Sequence, residues 1–135
     1  MTEYQKLLPE VTPLHMPFWD ALKQHELKLQ KCAGCGTFRH IPTEICQHCY
    51  SEDVEWTAVS GRGEVYTFTV VRRAPTPAYQ EEAPYAIAHV KLPEGPRMIS
   101  TIVDCPVEDV RIGMPVEVVY DDVTPDWTLY RFRPV

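Results

Sequence analysis

Hydrophobic positions near the start of the chain recur at the spacing of an α-helix. The residues that share this spacing are Leu14, Phe18, Ala21, Leu22 and His25. Prolines fall where the first turn of a helix tolerates them, so the pattern predicts a short amphipathic helix over residues 14–25. Adjacent helix positions point about 100° apart, so the helix need not bury both Phe18 and Trp19 against the body of the protein. We expect core packing for aromatic residues here, with one of the two facing a partner as the alternative.

The rest of the chain shows the alternation that is typical of β-strands. A short lead-in strand is predicted at residues 27–30. Five later runs are rich in β-branched and aromatic residues and are bounded by turn residues: 64–73, 85–92, 98–103, 115–120 and 129–132. A proline-rich loop follows the first of these runs, and Pro93-Glu94-Gly95-Pro96 marks a turn between the second and the third.

Two of these runs also predict which side chains share a face. In residues 64–73, alternation sets Tyr66, Phe68 and Val70 against Val65, Thr67, Thr69 and Val71. In residues 85–92, one face consists of residues small enough to line a tight barrel: Ala86, Ala88, Val90 and Leu92. Five short strands with a connecting segment at residues 107–113 fit a small, partly open barrel of the oligonucleotide/oligosaccharide-binding (OB) kind. A small sandwich is the competing architecture.

Four of the five cysteines lie in the segment CAGCGTFRHIPTEICQHC. Cys32, Cys35, Cys46 and Cys49 follow the pattern C-x2-C-x10-C-x2-C, which supplies four thiolates to a tetrahedral zinc ion. Glycines at 34 and 36 suit a tight turn around the metal, and residues 37–45 are long enough for a small hairpin. An iron–sulfur cluster is the rival ligand, and a redox role is disfavoured because two C-x-x-C pairs occur together without a following helix. We therefore predict a rubredoxin-like zinc ribbon.

Four thiolates close the coordination shell of zinc, so the predicted metal is structural and cannot activate water. The sequence as a whole then predicts a mainly β protein in three parts. These are an N-terminal helix and lead-in strand at residues 1–30, the zinc ribbon at 31–58 and a five-stranded OB-fold domain at 59–135. His48, inside the second cysteine pair, is expected to face solvent.

Charge and composition narrow the function. The net charge is −6 with a pI near 5.3, which disfavours broad attraction to nucleic-acid phosphates. No signal sequence or membrane-spanning run is recognisable, so we expect a cytoplasmic protein with no membrane contact. In a reducing cytosol, paired cysteines are more often metal ligands than disulfides.

Candidates for catalysis are few. Cys105 has acidic neighbours that would suppress its thiolate, and packing is the favoured interpretation. His89 could act as an acid or base, but no nucleophile or carboxylate accompanies it at a recognisable spacing. Arg62 and the pair Arg72-Arg73, at the two ends of one strand, are the best candidates for binding an anionic ligand such as a nucleotide phosphate.

Several segments together resemble a known family over nearly the whole chain. They are FWDALKQHELKLQKCAGCG, ICQHC, VEWTAVSGRGEVYTFTVV, RIGMPVEV and YRFRPV. This order resembles the zinc-ribbon/OB-fold accessory proteins that accompany thiolase-like enzymes of acyl-CoA metabolism. Gln47 departs from the usual C-P-x-C of the second pair without changing a ligand.

The resemblance implies a non-catalytic subunit that binds a thiolase, an acyl-CoA synthase or an aldolase in a hetero-oligomer and helps to shape a shared acyl-CoA site. The expected partner contacts are Phe18, Trp19, Arg39 and His40. The expected CoA contacts are Arg62, Arg72, Arg73 and Lys91. The alternatives are a module that binds single-stranded nucleic acid, which the acidic charge disfavours, and an independent enzyme using His89 or Cys105.

Overall fold

A short helix precedes the sheets. The computed structural model describes residues 8–9 and 11–135, and its first helix, α1, spans Met16–Lys23. The helix is thus two residues shorter at each end than the predicted range 14–25. It stops early because His25 adopts a left-handed conformation (φ 58°) and the N–H of Glu26 donates to Ala21 O at 3.0 Å. This turn sends the chain directly into the first strand.

Three antiparallel strands form the sheet of the ribbon. Strand β1 (Lys28–Cys32) lies in the middle, between β2 (Phe38–Arg39) and β3 (Val54–Ala58). The predicted lead-in strand is therefore present, shifted toward the cysteines. Strand β3 was not predicted, because its alternation is short and polar residues flank it.

The prediction of a hairpin within residues 37–45 is wrong. Phe38 and Arg39 pair with Lys31 and Gln30 of β1, so the hydrogen bonds of this segment go to an earlier strand. The rest of the segment forms turns that approach the second cysteine pair.

A five-stranded barrel follows, as predicted. Its strands are β4 (Arg62–Val71), β5 (Tyr85–Lys91), β6 (Arg97–Ile102), β7 (Pro115–Asp122) and β8 (Thr128–Pro134). They close in the order β4-β5-β6-β8-β7, with all neighbours antiparallel except the parallel contact of β6 with β8. The OB architecture is thus confirmed in place of the sandwich, with the barrel closed where the sequence predicted it partly open.

The barrel interior confirms one face prediction and corrects the other. The small residues of β5 and the following Leu92 are all at most 1% exposed. In β4 the pairing register shifts between Val65 and Thr67, which marks a β-bulge. Val65 is therefore buried while Tyr66 is 49% exposed, and alternation resumes one position later with Phe68 turned inward. A bulge changes the face that follows it, which alternation alone cannot show.

One apolar core connects the parts. Phe18 and Leu22 of α1 and Leu29 of β1 are buried together with barrel residues such as Phe132. Gly63 permits the tight closure of β4 on β5, since a Cβ there would lie 2.5 Å from the carbonyl oxygen of Lys91. The predicted boundaries at residues 30 and 58 stay a prediction, because the core is shared across them.

The long loop between β4 and β5 contains one turn of helix, α2 (Pro77–Gln80). The side chain of Gln80 holds this loop by accepting from Ala74 N at 2.8 Å and donating to Arg72 O at 3.3 Å. Within the described residues, no helix has both the length and the apolar character needed to cross a bilayer.

Candidate metal centre

The four cysteines of the ribbon converge on one point. Their sulfur atoms all lie within 4.8 Å of one another. The Cys32 and Cys49 sulfurs are 3.5 Å apart, and those of Cys35 and Cys46 are 3.6 Å apart. Four sulfurs at the usual Zn–S distance of about 2.3 Å stand about 3.8 Å apart in a tetrahedron, so the donor set and its spacing fit zinc.

Two similar turns carry these sulfurs. In the first, the N–H of Gly36 donates to Cys32 O at 2.8 Å, and in the second the N–H of Tyr50 donates to Cys46 O at 2.9 Å. Both turns end in a left-handed residue, with φ 77° at Gly36 and 61° at Tyr50. Each C-x-x-C pair is therefore closed by its own backbone, and β1 brings the first pair to the second.

Hydrogen bonds at the first pair favour the thiolate form that binds metal. The side chain of Thr37, whose hydroxyl lies 3.2 Å from the Cys35 sulfur, and then the Thr37 backbone lower the pKa of Cys35 to about 6. The backbone N–H of Cys35 likewise lowers the pKa of Cys32. In the second pair, the N–H of His48 donates to the Cys46 sulfur at 3.4 Å, while its side chain is exposed, as predicted.

The chemistry of such a centre follows from its donors. Four thiolates hold zinc as a structural ion, with no position left for water or substrate. Cys32 and Cys46 are each 1% exposed, and Cys35 and Cys49 lie at the surface. The centre therefore anchors the surface loops of the ribbon to its buried strand.

The predicted partner contacts divide between core and surface. Phe18 is 3% exposed and packs edge-on against Trp19 and Tyr130, so it belongs to the core and not to an open surface. Trp19 is half-buried, contacts Trp127, and lines an apolar groove of about 350 Å³. Phe18 is thus buried in the core, whereas Trp19 packs against the edge of the same core and is only partly buried.

Arg39 and His40 are both half-buried at the end of β2. The Arg39 guanidinium donates from Nε to Gln30 Oε1 at 2.9 Å and from Nη2 to Thr43 O at 3.0 Å. His40 packs against Phe18 with ring centroids 5.1 Å apart. Gln30, at 1% exposure, organises this corner but was missed, because a polar residue within a strand predicts a solvent-facing position.

The predicted CoA contacts form two separate groups. Arg62 and Lys91 lie at one end of the β4–β5 pair, where the register sets Lys91 opposite Glu64 and Arg97. Arg72 and Arg73 follow the other end of β4, about 30 Å away for a ten-residue strand. One phosphate group cannot contact both ends.

Arg97 joins the first group and was missed by sequence reasoning. Its guanidinium lies over the Tyr66 ring, 4.6 Å from the centroid. Arg62, Lys91 and Arg97 are all exposed. Sequence reasoning missed Arg97 because it is distant from Arg62 in the sequence and comes close to it only through two strand pairings.

The two residues considered for independent catalysis do not meet. Burial and the carboxylate of Asp109 raise the pKa of Cys105, which disfavours its thiolate. His89 lies on the outside of β5, between Thr67 and Ile99 of the neighbouring strands. Among the residues that the structure describes, neither has the partners that a nucleophile or a general base requires.

Comparison with known proteins gives two adjoining family matches. Residues 19–55 match the rubredoxin-like zinc ribbon domain of ChsH2, and residues 56–121 match the ChsH2 C-terminal OB-fold domain. The "DUF35 domain-containing scaffold protein" of Methanocaldococcus jannaschii is 40% identical over 112 residues, covering 78% of this chain and 79% of that protein.

Two relatives carry names from acyl-CoA metabolism. The "Probable enoyl-CoA hydratase alpha subunit" of Thermomonospora curvata is 41% identical over 118 residues, 87% of this chain. The chain spans only 36% of the length of that relative. The "Benzoylsuccinyl-CoA thiolase subunit BbsA" of Geobacter metallireducens is 31% identical over 97 residues, covering 70% of this chain and 64% of that protein.

Among solved structures, a chain of the "Ltp2-ChsH2(DUF35) aldolase" superposes with a TM-score of 0.86 at 37% identity. The match covers 94% of this chain and 98% of that one. The order of helix, ribbon and barrel, the four converging sulfurs and these matches agree, and the chain belongs to the ChsH2/DUF35 family of zinc-ribbon and OB-fold proteins.

Proposed function

We propose that this chain is a non-catalytic accessory subunit of a thiolase-like enzyme that acts on acyl-CoA substrates. The observation that carries the proposal is the near-complete match to the ChsH2(DUF35) chain of an aldolase complex. The names of other relatives, a thiolase subunit and a scaffold protein, support the same role. The enzyme subunit would supply the reacting groups.

The chemistry of the described residues is consistent with this role. A four-thiolate centre has no open position for catalysis, and Cys105 and His89 lack catalytic partners. What the chain offers is a rigid shape, in which the metal fixes the ribbon and a closed barrel supports the helix. A rigid neighbour can accelerate a reaction by holding a substrate or an active-site wall in place.

We assign the contact with the enzyme to the groove beside Trp19, together with the adjoining corner at Arg39 and His40. The groove is lined mainly by aromatic and aliphatic side chains, including Tyr85, and Ile99 at its edge is 52% exposed. Aromatic anchors with an apolar surround are typical of the centre of a protein–protein interface. Phe18 is left out of this surface because it is buried.

We assign CoA phosphate binding to Arg62, Lys91 and Arg97. These exposed cations share the outer face at one end of the barrel, and guanidinium groups bind phosphate in a bidentate manner. Arg72 and Arg73, at the opposite end of β4, cannot join the same site.

The test starts from the native complex. The tagged chain is purified from its own organism under mild conditions, and the co-purifying thiolase-like subunit is then produced separately. We expect the two to form a stoichiometric complex in size-exclusion chromatography with light scattering. We also expect thioester turnover only from the enzyme subunit, enhanced when this chain is added.

A matched pair of variants locates the interface. Ile99→Ala shortens an exposed residue of the groove, and Ile112→Ala makes the same change at a residue that is 68% exposed outside it. We expect Ile99→Ala to weaken the complex about tenfold and Ile112→Ala to leave it unchanged. Turnover by this chain alone, or a monomer that binds no such enzyme, would refute the proposed function.

A further inference from the structure

The metal centre combines two exposed cysteines with two buried ones. Cys35 and Cys49 lie at the surface, whereas Cys32 and Cys46 are each 1% exposed. An oxidant dissolved in water therefore reaches Cys35 and Cys49 first. The ligands of zinc are thiolates, and the thiolate is the form of cysteine that peroxides oxidise. The two exposed ligands are thus the points at which the centre is open to oxidation.

Each exposed sulfur has a buried sulfur of the other turn beside it. The Cys49 sulfur lies 3.5 Å from that of Cys32, and the Cys35 sulfur lies 3.6 Å from that of Cys46. A disulfide bond is about 2.05 Å long, so each of these cross-turn pairs has to close by only about 1.5 Å. A sulfur that is oxidised at the surface therefore has a second thiolate within reach.

The alternative is a disulfide within each C-x-x-C pair. Each of these two turns is already closed by its own backbone hydrogen bond. A disulfide inside a turn would close only that short loop and would leave the first turn unconnected to the second. Cross-turn disulfides close the longer loops 35–46 and 32–49, which removes more conformational freedom from the unfolded chain. This difference favours the cross-turn pairing.

The chemistry balances with hydrogen peroxide as the oxidant. An exposed thiolate attacks one peroxide oxygen, the O–O bond breaks, and the sulfur becomes a sulfenic acid. The neighbouring buried thiolate then attacks this sulfur, the S–O bond breaks, and the oxygen leaves as water. Each disulfide thus takes two electrons from two thiolates and reduces one peroxide to two water molecules, with two protons taken up from solvent.

Two such steps remove all four ligands of the metal. A disulfide sulfur carries no negative charge, and zinc binds the thiolate form of cysteine. The chain therefore loses its affinity for the ion as the two disulfides form. Cys105, the fifth cysteine, lies outside the four converging sulfurs and takes no part.

We propose that the centre is a peroxide-sensitive switch, in which oxidation joins each exposed sulfur to the buried sulfur of the other turn and releases the metal. The two disulfides link Cys32 with Cys49 and Cys35 with Cys46. The inference goes beyond the accessory role and does not depend on it, since it is measured on this chain alone. Because both disulfides connect the two turns, the turns stay linked, and reduction restores the four ligands.

The test treats the zinc-loaded full chain with hydrogen peroxide, and a chromogenic chelator records the release of zinc. Free thiols are then blocked with N-ethylmaleimide, and the chain is digested with trypsin, which cleaves after Arg39, between the two cysteine pairs. Cross-turn disulfides hold peptides 32–39 and 40–62 together, whereas disulfides within the pairs leave them separate. With one equivalent of peroxide, the positions of N-ethylmaleimide in the mass spectrum identify which sulfurs are joined.

We expect the release of one zinc ion per chain and the loss of four of the five thiols. The linked peptides should exceed the separate, internally oxidised peptides about tenfold or more. Dithiothreitol should restore the thiols and the binding of one zinc ion. The chelator without peroxide is one control. Cys105→Ser, which removes only the thiol outside the centre, is the other and should behave as the native chain does.

Three results would overturn the proposal. The first is a set of separate peptides with a disulfide inside each pair, and the second is a linked product that joins the sulfurs in a different arrangement. The third is retention of zinc and of all the thiols at a peroxide concentration that oxidises a free cysteine peptide. Each result leaves the proposed accessory function untouched, since that function is tested by complex formation.

Discussion

The ribbon and the barrel are stabilised by different means. The barrel contains a continuous apolar interior, in which Val90, Met98, Val116 and Phe132 show no exposed surface. Between β1 and β3 the ribbon buries little beyond Cys32, Cys46 and Pro42, and its large hydrophobic residues Ile41, Ile45 and Tyr50 are exposed. A segment of this size cannot bury enough apolar surface to order itself, so its structure depends on a cross-link.

The barrel and the cysteine turns therefore depend on different interactions. The barrel and α1 form a body that is stable through packing, whereas the cysteine turns keep their positions only while a metal holds the four sulfurs together. The corner that we assign to the partner, at Arg39 and His40, lies where the two meet. Each part can therefore be disrupted separately.

Removal of the metal should have the largest effect. Cys46→Ser, or a strong chelator, removes a contribution that is about 10–16 kcal/mol for structural zinc in small domains. We expect hydrogen exchange to become fast in residues 32–53 and to stay slow in β5 and β7. The same experiment on Cys105→Ser serves as the control, since this thiol is not a ligand. Loss of protection throughout the barrel would show that the two parts do not differ as described.

A substitution in the barrel core should disrupt the barrel and leave the metal centre intact. Phe132→Ala empties a fully buried site and should lower the free energy of unfolding by about 3–5 kcal/mol. Because the metal ligands do not contact this site, the variant should still bind one zinc ion per chain below its lowered melting temperature. Urea denaturation and zinc analysis measure the two effects, with Ile112→Ala as the exposed control. A variant that loses zinc while folded would contradict the separation.

Sequence reasoning succeeded where a local pattern determines the structure. The C-x2-C pairs fixed the metal ligands because each pair closes its own turn, and the small residues of β5 predicted the barrel interior. It failed where distant pairing decides. Strand β2 pairs with β1 and not within its own loop, and the bulge at Tyr66 reverses the face of β4.

The candidate sites show the same limit. Arg97 reaches the cluster with Lys91 only through β5–β6 pairing, and Arg39 reaches Gln30 only through β1–β2 pairing. No spacing in the sequence records those contacts. The net charge of the whole chain disfavoured nucleic-acid binding. It gave no information on which arginines lie close together in the fold.

A smaller effect distinguishes the two cysteine turns. Gly36 and Tyr50 both have positive φ, which costs about 1–2 kcal/mol for a residue with a side chain. Gly36→Ala should therefore destabilise the ribbon by about 1 kcal/mol, although its Cβ would meet nothing nearer than 4.0 Å. Tyr50→Gly, where the exposed ring packs little, should stabilise it by a similar or smaller amount. Competition with a chromogenic chelator measures both changes, and effects of the same sign would contradict the backbone explanation.

The smallest predicted effect concerns the attachment of the helix end to the barrel. Asp122 accepts a hydrogen bond from the Thr128 hydroxyl and lies 3.0 Å from His25 Nε2, and these contacts lower the pKa of the Asp122 carboxyl. A carboxyl whose pKa is lower in the folded than in the unfolded chain stabilises the fold above its unfolded pKa, near 4. That stability is lost as the pH falls through the folded value.

Asp122→Asn isolates this contribution, because zinc release in acid affects the native chain and the variant alike. We expect the variant to be less stable at pH 7 and pH 5, and the difference to shrink below about pH 4, as the native carboxyl becomes protonated. Urea denaturation of both proteins at each pH gives the difference. Asp126→Asn, an exposed aspartate in the following turn, is the matched control. The contact is at the surface, so we expect the difference to be small. If the stability of the native chain relative to the variant instead increased as the pH fell, the ionised Asp122 carboxylate would oppose the attachment of α1.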